Sequence, residues 1–151
     1  MELNLEQLTA KSIEVVHQAA AFIHDEARKF TADKVQVKSL NSLVSYVDVA
    51  AEKILVDGLK KLFPEAGFIT EENTATEKAT YQWVIDPLDG TTNFIHGVPA
   101  YCVSVGLIKN GKPILGVVHE IARNETFSAW KKGGAYLNGE KISVTKTSAL
   151  S

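Results

Sequence analysis

The chain has 151 residues, 45% of them hydrophobic and 23% charged, with 16 Lys and Arg against 18 Asp and Glu for a net charge of −2. That balance is the ordinary globular one and excludes a disordered, collagenous or disulfide-framework protein; roughly 68–70% of the unfolded surface is buried at this length, enough for a core without staples. The lack of a basic surplus argues against a nucleic-acid partner, and no run nears the roughly 18 apolar residues needed to cross a bilayer.

The first thirty residues predict one amphipathic helix. Asn4 is placed to cap it, and Gln7 completes a capping-box pattern. Leu5, Leu8, Val16, Ala19, Ile23, Ala27 and Phe30 recur at helical spacing and form one apolar face. Between Thr31 and Val47 the pattern reads as short and β-like: Val35-Gln36-Val37 alternates, and Leu43-Val44 follows a Ser/Asn turn. A second helix is predicted from about Val47 to Leu62, with Ala50, Ile54 and Leu62 on its buried side and Pro64 ending it.

Beyond Pro64 the texture changes to strands. Gly67–Thr70 and Trp83–Ile85 are short apolar runs with the polar segment Glu71–Thr80 between them. Tyr101–Lys109 and Pro113–Glu120 flank Asn110-Gly111, the strongest short hairpin signal. Glu125–Trp130 follows a turn at Arg123-Asn124, and Asn138-Gly139 marks a third turn before Lys141–Val144. Strands joined by tight turns are antiparallel. The expected class is therefore α+β, two long helices packed on a meandering, mostly antiparallel sheet, and not a doubly wound βαβ fold.

Acidic residues gather at strand ends. Glu71-Glu72 follow Phe68–Thr70, and Asp86 and Asp89 follow Trp83–Ile85 in the run Asp86-Pro87-Leu88-Asp89-Gly90-Thr91-Thr92-Asn93-Phe94. Pro87 stiffens that turn and removes a backbone donor, leaving the Leu88 carbonyl to point with the two carboxylates. Hard cations such as Mg²⁺ want that mixture of carboxylates, a carbonyl and water. Gly90-Thr91 then opens a short helical turn whose free N–H groups suit a phosphate. Asp-Pro-x-Asp-Gly is equally good chemistry for a surface turn with solvated acids, but converging carboxylates without a cation would raise each other's pKa. His17 and His24, seven apart on one helix face, read as surface residues, and His96 as a structural residue at a turn end. Cys102 reads as an inert core thiol with no disulfide partner. The acidic N-terminus is unlike a signal peptide, so a cytoplasmic location is expected.

The run Asp86–Phe94 closely resembles the signature of the inositol monophosphatase family, within the Mg²⁺-dependent, lithium-sensitive sugar phosphatases. Lys38–Asp48 resembles that family's segment ending in an aspartate that opens helix two. Phe68-Ile69-Thr70-Glu71-Glu72 resembles its acidic strand end, where glycine is commoner than Thr70. Tyr101–Leu107, Gly116-Val117-Val118 and Lys132–Gly139 follow in family order, so the resemblance covers essentially the whole chain. It implies hydrolysis of a small-molecule phosphate monoester, foremost inositol 1-phosphate, with Mg²⁺ as cofactor. Glu71, Asp86 and the Leu88 carbonyl would bind a first Mg²⁺, and Asp86 and Asp89 would contribute to a second. Glu71 and Thr91 would activate the attacking water; Asp89 and the Gly90 and Thr91 amides would hold the phosphate; Asp48 and Glu72 would form an outer shell. Thr92-Asn93-Phe94 resembles the inositol-phosphatase branch over the nucleotide or other sugar phosphatases, which stand as alternatives beside a non-catalytic binding or oligomerisation module. The resemblance also implies a homodimer. Ser42-Leu43-Val44-Ser45 departs from the family's Asp-Leu-Val-Thr. Residues 1–151 correspond to an N-terminal metal- and phosphate-binding domain; the family's second α/β domain, with a further metal-binding aspartate, has no counterpart here. This polypeptide alone is therefore expected to be weakly active or inactive.

Overall fold

A computed structural model describes residues 2–29, 37–71 and 79–150, the side chains of residues 37–39 excepted. The predicted strand at Val35-Gln36, Phe30 of the first apolar face, Glu72 and most of the polar segment Glu71–Thr80 lie outside the described residues.

Helix α1 spans Leu5–Arg28, and the predicted cap forms: Asn4 Oδ1 accepts from the Gln7 N–H at 3.0 Å. Leu8, Val16, Ala19 and Ile23 are buried as the spacing predicts, and Leu5 and Ala27 pack at the core's edge. Helix α2 corrects the sequence reading. It spans Val37–Leu62, so Leu43-Val44 is helical and not β-like. The physical reason is in the pattern itself: Val44, Val47, Ala51, Leu55 and Leu59 are buried at unbroken steps of three and four, and no Gly or Pro interrupts Lys38–Val47. The buried stripe is thus offset from the predicted one; Ile54 and Leu62 only edge the core, and Ala50 is half-buried. The helices approach closely at Gly58, where a Cβ would stand 2.6 Å from Val15 Cγ1.

Seven strands form one sheet in chain order: β1 (Gly67–Thr70), β2 (Tyr81–Asp89), β3 (Cys102–Lys109), β4 (Lys112–Glu120), β5 (Glu125–Trp130), β6 (Gly134–Leu137) and β7 (Glu140–Ile142). From β2 onward every pairing is antiparallel, the expected meander. β1 pairs parallel to β2, because residues 71–80 and not a tight turn join them. Asn110 and Gly111 have φ of 50° and 80°, and Asn138 and Gly139 have 50° and 83°, the left-handed pairs that two-residue hairpins need. Strand β6 was not predicted: Gly-Ala-Tyr-Leu is too short and mixed to announce itself. The strand expected at Lys141–Val144 ends at Ile142.

Side chains alternate across this sheet. Trp83, Ile85, Val103, Val105, Leu107, Leu115 and Val117 are buried on one face, covered by α2 over β2 and by α1 over β3, β4 and β5. On the opposite face no helix packs among the described residues, and Val84, Val118 and Phe127 are 39%, 39% and 40% exposed. Among the described residues no helix is long and apolar enough to cross a membrane.

Candidate active site

The site lies where β2 ends. Val84 and Asp86 share the open face, Asp86 lying opposite Ser104, and the pairing then slips so that Asp89 is the next residue in register, opposite Cys102. Pro87 and Leu88 fill the bulge with their side chains buried, which turns Asp89 outward to solvent. In the parallel pair Thr70 is level with Ile85, so Glu71 follows on beside Asp86. The register alone thus brings Glu71, Asp86 and Asp89 to one edge of the sheet.

The electrostatics agree. Burial raises the Asp86 carboxyl above its ordinary value, repulsion from Glu71 and then Asp89 raises it further, and a hydrogen bond from the Leu88 N–H opposes them. Asp86 Oδ1 is buried without a hydrogen-bond partner. Cys102 Sγ lies 3.9 Å from Asp89 Oδ2. Burial, with the negative charges of Asp89, Asp86 and Glu120, pushes that thiol up to about 11; Cys102 is half-buried at the edge of the site and not the core thiol expected from the sequence.

After Asp89, Gly90 caps helix α3 (Thr91–Ile95). The Phe94 N–H closes the first turn on the Gly90 carbonyl at 3.0 Å, which leaves the amides of Thr91, Thr92 and Asn93 without an intrahelical partner. Phe94 is buried and meets Tyr101 edge to face at 5.2 Å, and Asn93 Nδ2 donates to the Ala100 carbonyl at 2.8 Å. These contacts fold the segment after α3 back against its start. Gly90 has φ of 101°, and a Cβ there would be 2.9 Å from the Ala100 oxygen. Gly90→Ala is therefore expected to cost about 1–3 kcal/mol and to disturb this turn before the rest of the fold; an unchanged urea midpoint would contradict the tight packing.

A cleft of about 430 Å³ opens here, lined by Asp89, Gly90, Asn93, Tyr101, Cys102, Glu120 and Arg123 among others. Sequence reading missed Tyr101, Glu120 and Arg123. The signal was the hairpin register, which sets Glu120 opposite Cys102 and so near Asp89. Of the other predicted residues, Asp48 is half-buried in the interior of α2 and does not open that helix. His96 is exposed at the end of α3.

Among the described residues no three His, Cys, Asp or Glu side chains are arranged to hold a metal ion by themselves. The donors present still fit a hard cation in kind. Mg²⁺ keeps several waters and takes one or two carboxylates, and a buried, unpartnered carboxylate oxygen beside two more acids is a place where added positive charge relieves both desolvation and repulsion.

A sequence profile of the inositol monophosphatase family matches residues 4–151. Inositol monophosphatase 2 of Solanum lycopersicum is 38% identical over 152 residues, covering 97% of this chain and 57% of the relative. A Thermotoga maritima protein named fructose-1,6-bisphosphatase/inositol-1-monophosphatase is 40% identical over 119 residues, covering 78% and 46%. The solved inositol monophosphatase from Anabaena superposes with a TM-score of 0.81 at 31% identity, over 97% of this chain and 52% of its own. The chain spans about half the length of these relatives. With nearly every residue matched in sequence and in fold, the chain belongs to the inositol monophosphatase family.

Proposed function

We propose that this chain is the cation- and phosphate-binding half of a Mg²⁺-dependent phosphomonoesterase whose foremost substrate is inositol 1-phosphate. The observation that carries the reading is the edge formed by Glu71, Asp86 and Asp89, with Asp86 Oδ1 buried and unpartnered, immediately before the opening turn of α3. Glu71, Asp86 and the Leu88 carbonyl would hold one Mg²⁺, and Asp86 with Asp89 a second. Bound there, the cation supplies charge stabilisation to the attacking and leaving oxygens.

The chain's own residues do the rest. Glu71 takes a proton from the attacking water, which the Thr91 hydroxyl orients. The Gly90 and Thr91 amides, with Asp89 beside them, position the phosphate so that water attacks in line with the ester oxygen. The phosphorus–oxygen bond to the sugar breaks, the leaving oxygen takes a proton from a second water, and Glu71 returns its proton to the hydroxide left behind. Asp48 and Glu72 act outside this set as orienting acids. The uncovered sheet face, with Val84, Val118 and Phe127 exposed, supports a further domain packing there and completing the pocket. A homodimer in the cytoplasm is the setting the family resemblance suggests.

In the complete enzyme Asp89→Asn is expected to lower Mg²⁺-dependent phosphate release from inositol 1-phosphate by at least about a hundredfold, since a bound cation is worth several kcal/mol in such a reaction, with the fold retained. Unchanged turnover would contradict the assignment. The name of the Thermotoga relative joins two sugar phosphates, so fructose 1,6-bisphosphate belongs in the same panel; preferred turnover of it would move the substrate while keeping the site.

A further inference from the structure

The contact between α1 and the sheet contains a polar connection that phosphate chemistry does not use. His119 lies on the helix-covered face of β4, directly opposite Thr126 of β5, and both are buried. His119 Nδ1 is 2.8 Å from Thr126 Oγ1, and His17 Nε2, reaching down from α1, is 2.8 Å from the same oxygen. The two rings meet edge to face with centroids 4.9 Å apart. Asn138 anchors the threonine backbone on both sides: its Oδ1 accepts from the Thr126 N–H and its own N–H donates to the Thr126 carbonyl, each at 2.8 Å.

Counting protons limits what this trio tolerates. A hydroxyl donates once. Two neutral rings fit only as complementary tautomers, one ring nitrogen accepting the hydroxyl proton and the other presenting N–H to the oxygen. One added proton also fits, because the ring that already donates to Thr126 charges at its far nitrogen and its bond survives. A second does not. Both facing nitrogens then carry N–H, the hydroxyl proton loses its acceptor, and two cations stand 4.9 Å apart.

The surroundings sharpen that limit. His17 is exposed and reachable from solvent. Burial, together with His17, makes His119 harder to protonate, while Glu120 beside it works weakly the other way. His24 of α1 lines the same cavity of about 480 Å³ as His17 and His119. Glu6 lines the groove on the other side of His17. On β5, Glu125 pairs with Glu120, and β3 presents uncharged Val103 opposite His119.

We propose that His17, Thr126 and His119 form a proton-gated clasp that holds α1 on the sheet while at most one histidine is charged and lets it go when both are. The clasp stands apart from the phosphatase reading and from its acidic edge, and so does its test. In the 151-residue chain, nitrogen-15 NMR of the imidazoles at pH 8 is expected to find one of the two facing nitrogens protonated and the other not; the same state on both would overturn the proposal. Hydrogen-exchange protection of α1 around His17 is expected to fall on acidification, by up to about tenfold per pH unit, the slope for one extra proton taken up by the open form. In His119→Gln, which does not titrate, that slope should vanish, and in Thr126→Ser, which keeps the hydroxyl, it should persist. No acid response in the parent chain, or the same response in His119→Gln, would overturn the clasp.

Discussion

Asp86→Asn is expected to give a chain at least as stable as the parent at neutral pH that no longer responds to Mg²⁺. The Asp86 carboxyl is raised from its ordinary value of 3.8, by burial first and by Glu71 and Asp89 after it. A folded-state value above the unfolded one means that the folded chain holds the proton more tightly. The stability this confers is complete below about 3.8 and is lost as pH rises through the raised value. Above that window the carboxylate is a standing cost, on the order of 1 kcal/mol for one buried oxygen without a partner. Asparagine removes the charge and the pH dependence with it. Denaturation midpoints at pH 4 and pH 7, with and without Mg²⁺, separate the two effects. Relative to Asp86→Asn, which keeps every other titrating group, the parent is expected to lose stability between pH 4 and pH 7 and to regain it when Mg²⁺ binds the folded form. Equal responses in parent and variant would show that Asp86 is not part of the cation edge.

Trp83→Ala carries the largest expected loss of stability, about 3–5 kcal/mol, a large share of the 5–15 kcal/mol typical of a whole domain. Trp83 is fully buried in β2, level with Phe68 of β1 and Leu107 of β3 and on the face that α2 covers. Its Nε1 is buried without a partner, so packing alone holds the ring. Trp83→Phe should accordingly cost much less than Trp83→Ala, since it gives up volume but also the unpaired N–H. Val84, one residue on, points to the open face and is 39% exposed. Val84→Ala is expected to stay within about 0.5 kcal/mol of the parent. Similar urea midpoints for Trp83→Ala and Val84→Ala would contradict the assignment of the two sheet faces.

How much of this was legible in the sequence depends on where the information sits. The Asn-Gly pairs announced two hairpins correctly because their left-handed backbone is a local requirement. The cap at Asn4 and the apolar stripe of α1 were equally local. The start of α2 was misread because Ser and Asn around Leu43 resemble turn chemistry, while the decisive signal was a longer stripe running from Val44 to Leu59. The parallel pairing of β1 with β2 was invisible, since a connection through residues 71–80 carries no turn signature. At the site, Asp86, Asp89, Gly90 and Thr91 stood out as one continuous run, and Glu71 as a strand end. Their convergence follows from two registers, Thr70 level with Ile85 and the slip between Asp86 and Asp89. Glu120 and Arg123 escaped notice because they reach the cleft only through the β3–β4 pairing. The His17–Thr126–His119 contact was equally hidden, since His17 and Thr126 are 109 residues apart.

We place a cation edge where the end of β2 and the start of α3 meet Glu71. Titrating Mg²⁺ into this chain and following backbone amides by NMR tests it most directly. Saturable shifts confined to Thr70-Glu71 and Asp86–Thr91 are expected, and none in Asp86→Asn. No shift there at millimolar Mg²⁺, or shifts centred on another surface such as the His17–His119 cavity, would contradict it.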